Sequence, residues 1–298
     1  MNYGYYLMLS TEHIKSELST KGYVVIPNVL TPEEVEIATN KFDNWRTTIP
    51  DHDYIHNACD PHGIYKYHEA GHQDHAWFIR TREGVQKPFK QIWNENELIV
   101  SFDGSCYIPK ESKKVNSCWT HTDQAANKKG AECFQGVVGL THNKYRTLVV
   151  YEGSHLLHEE YFKSKGDTSS QNWNLIDKEY LERIADKMRI LEIPAGGMAI
   201  WDSRTFHQGR CDNVNQEERK VQYVSFMPKN HRLHTEANKK KRLKYFTERR
   251  TTSHWACRVK VNPKQPNTYG NQRRAINYDL LQKPELGYLE DEINKILN

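Results

Sequence analysis

Along this chain of 298 residues, apolar positions come in short runs separated by turn residues. The first structured stretch opens at Ser10-Thr11-Glu12, which reads as a capped helix start. Residues 22–27 (Gly-Tyr-Val-Val-Ile-Pro) form a short β-branched run, the mark of a strand. At Leu30-Thr31-Pro32-Glu33-Glu34 a second helix begins. Thr31 caps it, Pro32 suits the first turn, and two acids suit the positive end of the dipole. Residues 51–80, rich in His, Gly and Asp, show no clean period and read as loops. Apolar segments of strand length then recur at 98–102 and around 119–123, 133–140, 147–151, 188–193, 197–202 and 219–227. A helix over 177–187 interrupts them, and a last one covers 288–297. Many short strands with helices gathered at the N-terminus predict a mainly β fold, a double-stranded β-helix or jelly-roll core of the cupin kind. We expect one domain over 1–298, with helices and loops at 10–95, the jelly roll at 96–228 and a basic extension at 229–298.

Bulk properties narrow this further. A 37% hydrophobic chain can fill a core. No apolar run reaches the ~18 residues of a membrane span. The N-terminus carries neither a basic region nor an apolar one of the secretory type, and six scattered cysteines form no Cys-x-x-Cys. A cytoplasmic protein with reduced thiols is expected, acting as monomer or homodimer. Net charge is only +4, too mild for a nucleic-acid binder, although 229–250 is densely basic around Lys239-Lys240-Lys241-Arg242.

The chemistry concentrates in Cys118-Trp119-Thr120-His121-Thr122-Asp123-Gln124 and, far downstream, His207 and Arg219. A His and an Asp two residues apart on a strand share a face. With a second His from another strand they make a two-His-one-carboxylate metal face with open positions, as a non-haem iron(II) oxygenase requires. Arg219, twelve residues after His207, offers a planar fork to the far end of a dicarboxylate. Two rivals exist. His72-Gln73-Asp74 with His121 would leave His207 and Arg219 unexplained, and Cys118-x-x-His121 lacks the second pair of a zinc site. Gln135, on the next strand, can face the metal and bond a co-substrate, and Tyr107 can donate to its carboxylate. The plainer roles are a backbone-satisfied amide and a core tyrosine. Asp202 and Arg204 suggest a structural ion pair, and His68, His72 and His75 with Trp77 suggest a solvated loop.

These segments together resemble the phytanoyl-CoA dioxygenase superfamily of iron(II)/2-oxoglutarate oxygenases. The resemblance rests on 22–30, Ser101-Phe102-Asp103-Gly104, Trp119-Thr120-His121-Thr122-Asp123-Gln124, 135–140, Gly153-Ser154-His155, and the run from Trp201 to His207. It implies His121, Asp123 and His207 as iron ligands and Arg219 as the anchor of 2-oxoglutarate. It also implies consumption of O2 and 2-oxoglutarate, release of succinate and CO2, and hydroxylation of an unactivated C–H bond of a small molecule. Relatives that halogenate replace the carboxylate, so Asp123 favours hydroxylation. Two features depart from the family: Gln208-Gly209 stands where many relatives have Gly-Ser, and Asn143-Lys144-Tyr145-Arg146 replaces an acidic turn. Alternatives are a macromolecular hydroxylase that uses the basic segment on nucleic acid or protein, or a binding module without turnover.

Overall fold

A computed structural model describes residues 9–212 and 216–298 and, at Cys59, the backbone only. Most of the N-terminal stretch inspected for a leader lies outside them.

The described chain contains nine α-helices and twelve strands. The strands are β1 (Tyr23–Ile26), β2 (Leu98–Val100), β3 (Ser105–Ile108), β4 (His121–Thr122), β5 (Phe134–Gly139), β6 (Leu148–Tyr151), β7 (Asn174–Leu175), β8 (Met188–Ile190), β9 (Met198–Asp202), β10 (His207–Gly209), β11 (Arg219–Val224) and β12 (Phe226–Pro228). Two five-stranded antiparallel sheets carry the fold, in the orders β1-β9-β5-β11-β3 and β7-β4-β10-β6-β8, with β12 and β2 as a separate pair. This is the expected jelly roll. Its first strand, β1, lies well before residue 96: it closes the edge of the major sheet by pairing Tyr23 with Trp201.

Side-chain alternation sorts the major sheet into two faces. Cys106, Ile108, Val137, Ala199, Trp201 and Val221 point inward and meet Leu148 and Val150 of the minor sheet. Val24, Ile26, Val138, Met198, Ile200 and Val224 point outward into a larger cluster with the helices. Those helices are α1 (Thr11–Thr20), α2 (Pro32–Thr47), α3 (His52–Cys59), α4 (Asp74–Thr81) and α5 (Glu83–Trp93). The α2 start is as its residues dictate: Thr31 Oγ1 accepts from Glu34 N at 3.2 Å, and Glu34 returns a carboxylate oxygen to Thr31 N at 3.0 Å.

Residues 51–80 are loop only in the middle, around 60–69. They hold α3 and α4, and every residue of α4 except Asp74 is buried. A short helix buried all round shows no polar face, so its period is invisible in sequence. His68, His72 and His75, expected in a solvated loop, are 0–2% exposed. Nor does the sequence reading include α5 or α6 (Ser154–Ser164). The helix expected over 177–187 is shorter, α7 (Lys178–Arg183) plus a 3-10 turn at Ala185–Lys187.

The C-terminal extension contains α8 (Glu236–Thr247) and α9 (Glu290–Leu297). Ile293, Ile296 and Leu297 of α9 enter the same cluster as α2 and α4. Arg242, in the middle of the basic run, is fully buried rather than solvated. Its guanidinium donates to Val100 O at 2.8 Å, Ala256 O at 2.7 Å and Leu297 O at 2.6 Å, tying three distant segments together.

Candidate metal centre

The pairing of β10 with β4 places His207 directly opposite His121. Asp123 follows β4 immediately and is held by its own N–H, which donates to Ser203 O at 2.9 Å. The three side chains converge. His121 Nε2 lies 3.5 Å from Asp123 Oδ1, and His207 Nε2 lies 3.3 Å from Asp123 Oδ2. One donor atom from each residue fits within 4.8 Å of the others. All three residues are buried, at 4–5% exposure.

The imidazole tautomers follow from the backbone. His121 Nδ1 is 3.0 Å from Trp119 O and His207 Nδ1 is 2.8 Å from Thr205 O. A carbonyl only accepts, so each Nδ1 carries the proton and each Nε2 offers its lone pair inward. This arrangement orients a metal-binding histidine. Burial favours a neutral Asp123, but the neighbouring imidazoles of His254, His207 and His121 outweigh it and hold the carboxyl well below its usual range. Burial, followed by the neighbouring His207, lowers His121, keeping it uncharged and able to ligate. Asp123 Oδ2 is sealed from solvent with no hydrogen-bond partner, so the charge of this buried carboxylate is left unmet on that side. Two neutral nitrogens and a carboxylate on one face suit a divalent transition metal such as iron(II).

The centre lies on the wall of a cavity of about 830 Å³. Gln135 lines that cavity, as expected from its place on the inward face of β5, where it pairs with Trp201. Tyr107 does not. Cys106 and Ile108 take the inward positions of β3, so Tyr107 points outward, with Arg46 stacked over its ring at 4.5 Å. The proposed tyrosine contact to the co-substrate is therefore withdrawn. Arg219 shares the inward face of β11 with Val221 and Tyr223 and is 2% exposed. Nη1 donates to Thr147 O at 3.2 Å, while Nε is buried without a partner. Among the described residues no carboxylate pairs with it. A Cβ on Gly209, the next inward position after His207, would come within 3.5 Å of Arg219 Nη1, so the guanidinium sits beside the metal strand.

The rivals fall on geometry. His72 Nε2 meets Arg250 O at 3.1 Å, with its ring packed on Phe102, while Asp74 faces Lys41 and the Tyr288 hydroxyl. Cys118 is exposed and its thiol turns to Thr120. Asp202 and Arg204 form the expected ion pair, at 2.8 Å, away from the cavity wall. His155 Nε2 bonds Ser19 O at 3.0 Å, tying the start of α6 to the end of α1. Gln208, the departure from the family pattern, accepts from Trp119 N at 3.0 Å and Thr120 Oγ1 at 2.7 Å, bracing the strand that carries His121.

Several cavity residues were not anticipated. Trp119 stacks on His121 at 4.9 Å, and Trp173 approaches it at 5.3 Å. The basic extension supplies a whole wall, including Lys241, His254, Trp255, Arg258 and Lys260. No short-range signal marks these residues, because the wall is assembled from a segment more than a hundred residues away from His121 in the chain.

Residues 18–221, more than half of the chain, match the family "Phytanoyl-CoA dioxygenase (PhyH)". The chain belongs to the PhyH family. It is accordingly a non-haem iron, 2-oxoglutarate-dependent oxygenase, using Fe(II), 2-oxoglutarate and O2. Ava biosynthesis cluster protein O of Aspergillus versicolor is 26% identical over 238 residues, covering 72% of this PhyH-family chain and 77% of that protein. Two solved structures are similar in fold. One is EctD from S. alaskensis with 2-oxoglutarate and 5-hydroxyectoine, at 14% identity and TM-score 0.51, covering 93% of this chain and 88% of that one. The other is the epimerase SnoN in complex with Fe3+, alpha ketoglutarate and nogalamycin RO, at 17% identity and TM-score 0.51, covering 73% and 83%. At such identities these two structures speak to the jelly roll alone. No helix among the described residues is long and apolar enough to cross a membrane.

Proposed function

We propose that His121, Asp123 and His207 hold one Fe(II), that Arg219 holds the far carboxylate of 2-oxoglutarate, and that the enzyme hydroxylates an unactivated C–H bond of a small molecule. The observation that carries this is the convergence of three buried donors within 4.8 Å on the wall of one cavity. With metal, co-substrate and O2 bound, the site supplies a strong oxidant and yields succinate and CO2. The chain's own residues do the rest. Backbone carbonyls fix both imidazoles, Arg219 neutralises and orients a dicarboxylate, Gln135 offers an amide from the cavity wall, and the rings of Trp119 and Trp201 pack against His121 and His207.

The cavity volume of about 830 Å³ falls within the roughly 300–1,000 Å³ of small-ligand pockets. The name of the Aspergillus relative, from a biosynthesis cluster, points the same way. Lys241, Arg258 and Lys260 line the mouth without an ion-pair partner among the described residues, which favours a substrate bearing an acid group. A macromolecular substrate has less support. Lys239 is paired with Glu236 at 2.7 Å, Lys244 with Glu248 at 3.8 Å, and Arg242 is buried, so α8 presents no continuous basic face. We take the whole chain, 1–298, as one catalytic domain, because α9 shares its core with α2 and α4. Five free cysteines among the described residues support a reducing, cytoplasmic setting.

The test is succinate release from 2-oxoglutarate by the iron-loaded protein, screened across a metabolite library under labelled dioxygen. The expected hit raises succinate release and gains one labelled oxygen atom. A hit that is oxidised without gaining oxygen would replace hydroxylation by another outcome, and no 2-oxoglutarate turnover under any condition would remove the enzyme reading.

A further inference from the structure

Among the imidazoles near Asp123, His254 is the one the ligand set does not use. It lies beyond the 18–221 segment that matches the family, in a loop of the C-terminal extension. That loop is closed on itself. Thr252 bridges Val261, Ser253 N donates to Lys260 O at 2.8 Å, and Asn262 N donates to Thr251 O at 3.0 Å. It is also fixed to the barrel. Thr252 N donates to Phe102 O at 2.8 Å and Phe102 N to Thr252 Oγ1 at 3.2 Å. Trp255, Ala256 and Cys257 are buried against Ile99, Cys133 and Met227, and Arg242 holds Ala256 O from the other side. The direction of His254 is therefore set by many contacts that have nothing to do with the metal.

That direction is toward Asp123. His254 Nε2 lies 3.9 Å from Asp123 Oδ2. Both atoms are sealed from solvent and neither has a hydrogen-bond partner. The gap is too long for a hydrogen bond, yet a small turn of either side chain closes it. His254 is not one of the three residues whose donor atoms lie within 4.8 Å of one another. A carboxylate that binds a metal through one oxygen leaves the other in need of a donor, and in a dry site that donor must come from the protein.

We propose that His254 is a positioning residue for the metal centre: its Nε2–H donates to the outer oxygen of Asp123 and aims the carboxylate at the ion. This rests on the reading of His121, Asp123 and His207 as the ligands. It gives the C-terminal extension a role in assembling the metal site from a segment outside the family match.

The test is metal affinity rather than turnover. The metal-free protein is titrated with cobalt(II), followed by tryptophan quenching and by the ligand-field absorption bands. His254→Ala and His254→Phe, the second filling the space without a donor, should each weaken binding about 10–100-fold. His254→Gln, whose amide can donate, should recover most of that loss. The cobalt bands should keep their positions in all three variants, and thermal melts should stay near wild type. His207→Ala serves as the reference for loss of a ligand. Wild-type cobalt affinity in His254→Ala, with binding lost in His207→Ala, overturns the role of His254 and leaves the metal site standing. Bands in His254→Ala shifted to those of one fewer ligand overturn it too, by making His254 a ligand. Unchanged affinity in both variants removes the metal-site reading itself.

Discussion

Two His-x-Asp sequences occur in this protein, and they meet opposite fates. His121-Thr122-Asp123 sits at the end of a two-residue strand, with its imidazole proton given to a backbone carbonyl and its Nε2 turned toward a carboxylate. His72-Gln73-Asp74 opens a buried helix, and the same two side chains part: His72 enters the aromatic core and Asp74 goes out to Lys41. The motif is identical and the chemistry is not. What separates them is the backbone under the motif. An extended strand puts residues i and i+2 on one face, whereas a turn into a helix sends them apart. The ring nitrogen that faces the site is then chosen by whichever carbonyl takes the other one.

The largest expected effect breaks this comparison directly. His207→Ala should lose measurable iron(II) or cobalt(II) binding and His72→Ala should retain it, as read by titration of the metal-free protein. His72→Ala should instead lower unfolding stability, since it opens a cavity in a packed core. The reverse pattern would assign the metal to the wrong motif. Next in size is Arg219→Ala. Removing one partner of a buried charge pair costs about 2–5 kcal/mol, ten- to several-thousand-fold in 2-oxoglutarate affinity, with metal binding kept. Unchanged co-substrate affinity would break the assignment.

The third prediction sharpens the contrast through pH. Burial, with Arg80 also opposing charge, lowers His72 and His75 to about 3 from an ordinary 6.5. Burial, with His56 nearby, does the same to His68. The folded protein keeps these rings neutral and the unfolded chain protonates them. Their contribution is complete above pH 6.5 and is lost as pH falls toward 3. Each ring then adds about 1.4 kcal/mol per pH unit to the loss. Urea midpoints measured across that window should fall steeply, and less steeply in His72→Phe. A slope unaffected by that substitution would show that His72 does not carry the effect.

The smallest effect concerns the cavity mouth. Lys241→Gln with Arg258→Gln should weaken binding of acid-bearing hits from the metabolite screen by roughly 0.2–1 kcal/mol per charge. The loss should shrink with salt, because exposed charges are screened beyond ~8 Å at physiological ionic strength. Neutral hits should be unaffected. Equal losses for neutral and acidic hits would mean that the variants act through packing.

How much of the site was legible follows the same logic. That His121, Asp123, His207, Arg219 and Gln135 turn to one side could be read because each lies on or directly after a strand, where parity decides direction. Tyr107 failed on parity: β3 is buried on both faces, so no polar alternation sets its phase. The cavity wall at 251–262 was illegible for a different reason. Thr252, His254 and Arg258 carry no periodic signal, and their positions are set by contacts to Phe102, Ile99 and Arg242, all distant in sequence.

By itself, the sequence determined the jelly roll, the metal motif and the family, because these depend on short-range periodicity and on residue types whose chemistry is intrinsic. Tertiary structure alone decided that the His72 ring is sealed in an aromatic core and that the His121, Asp123 and His207 side chains converge. It also buried Arg242 as a tie between three carbonyls and aimed His254 at Asp123. The physical reason is that burial and orientation are properties of what surrounds a side chain, and here the surroundings arrive from the far end of the chain.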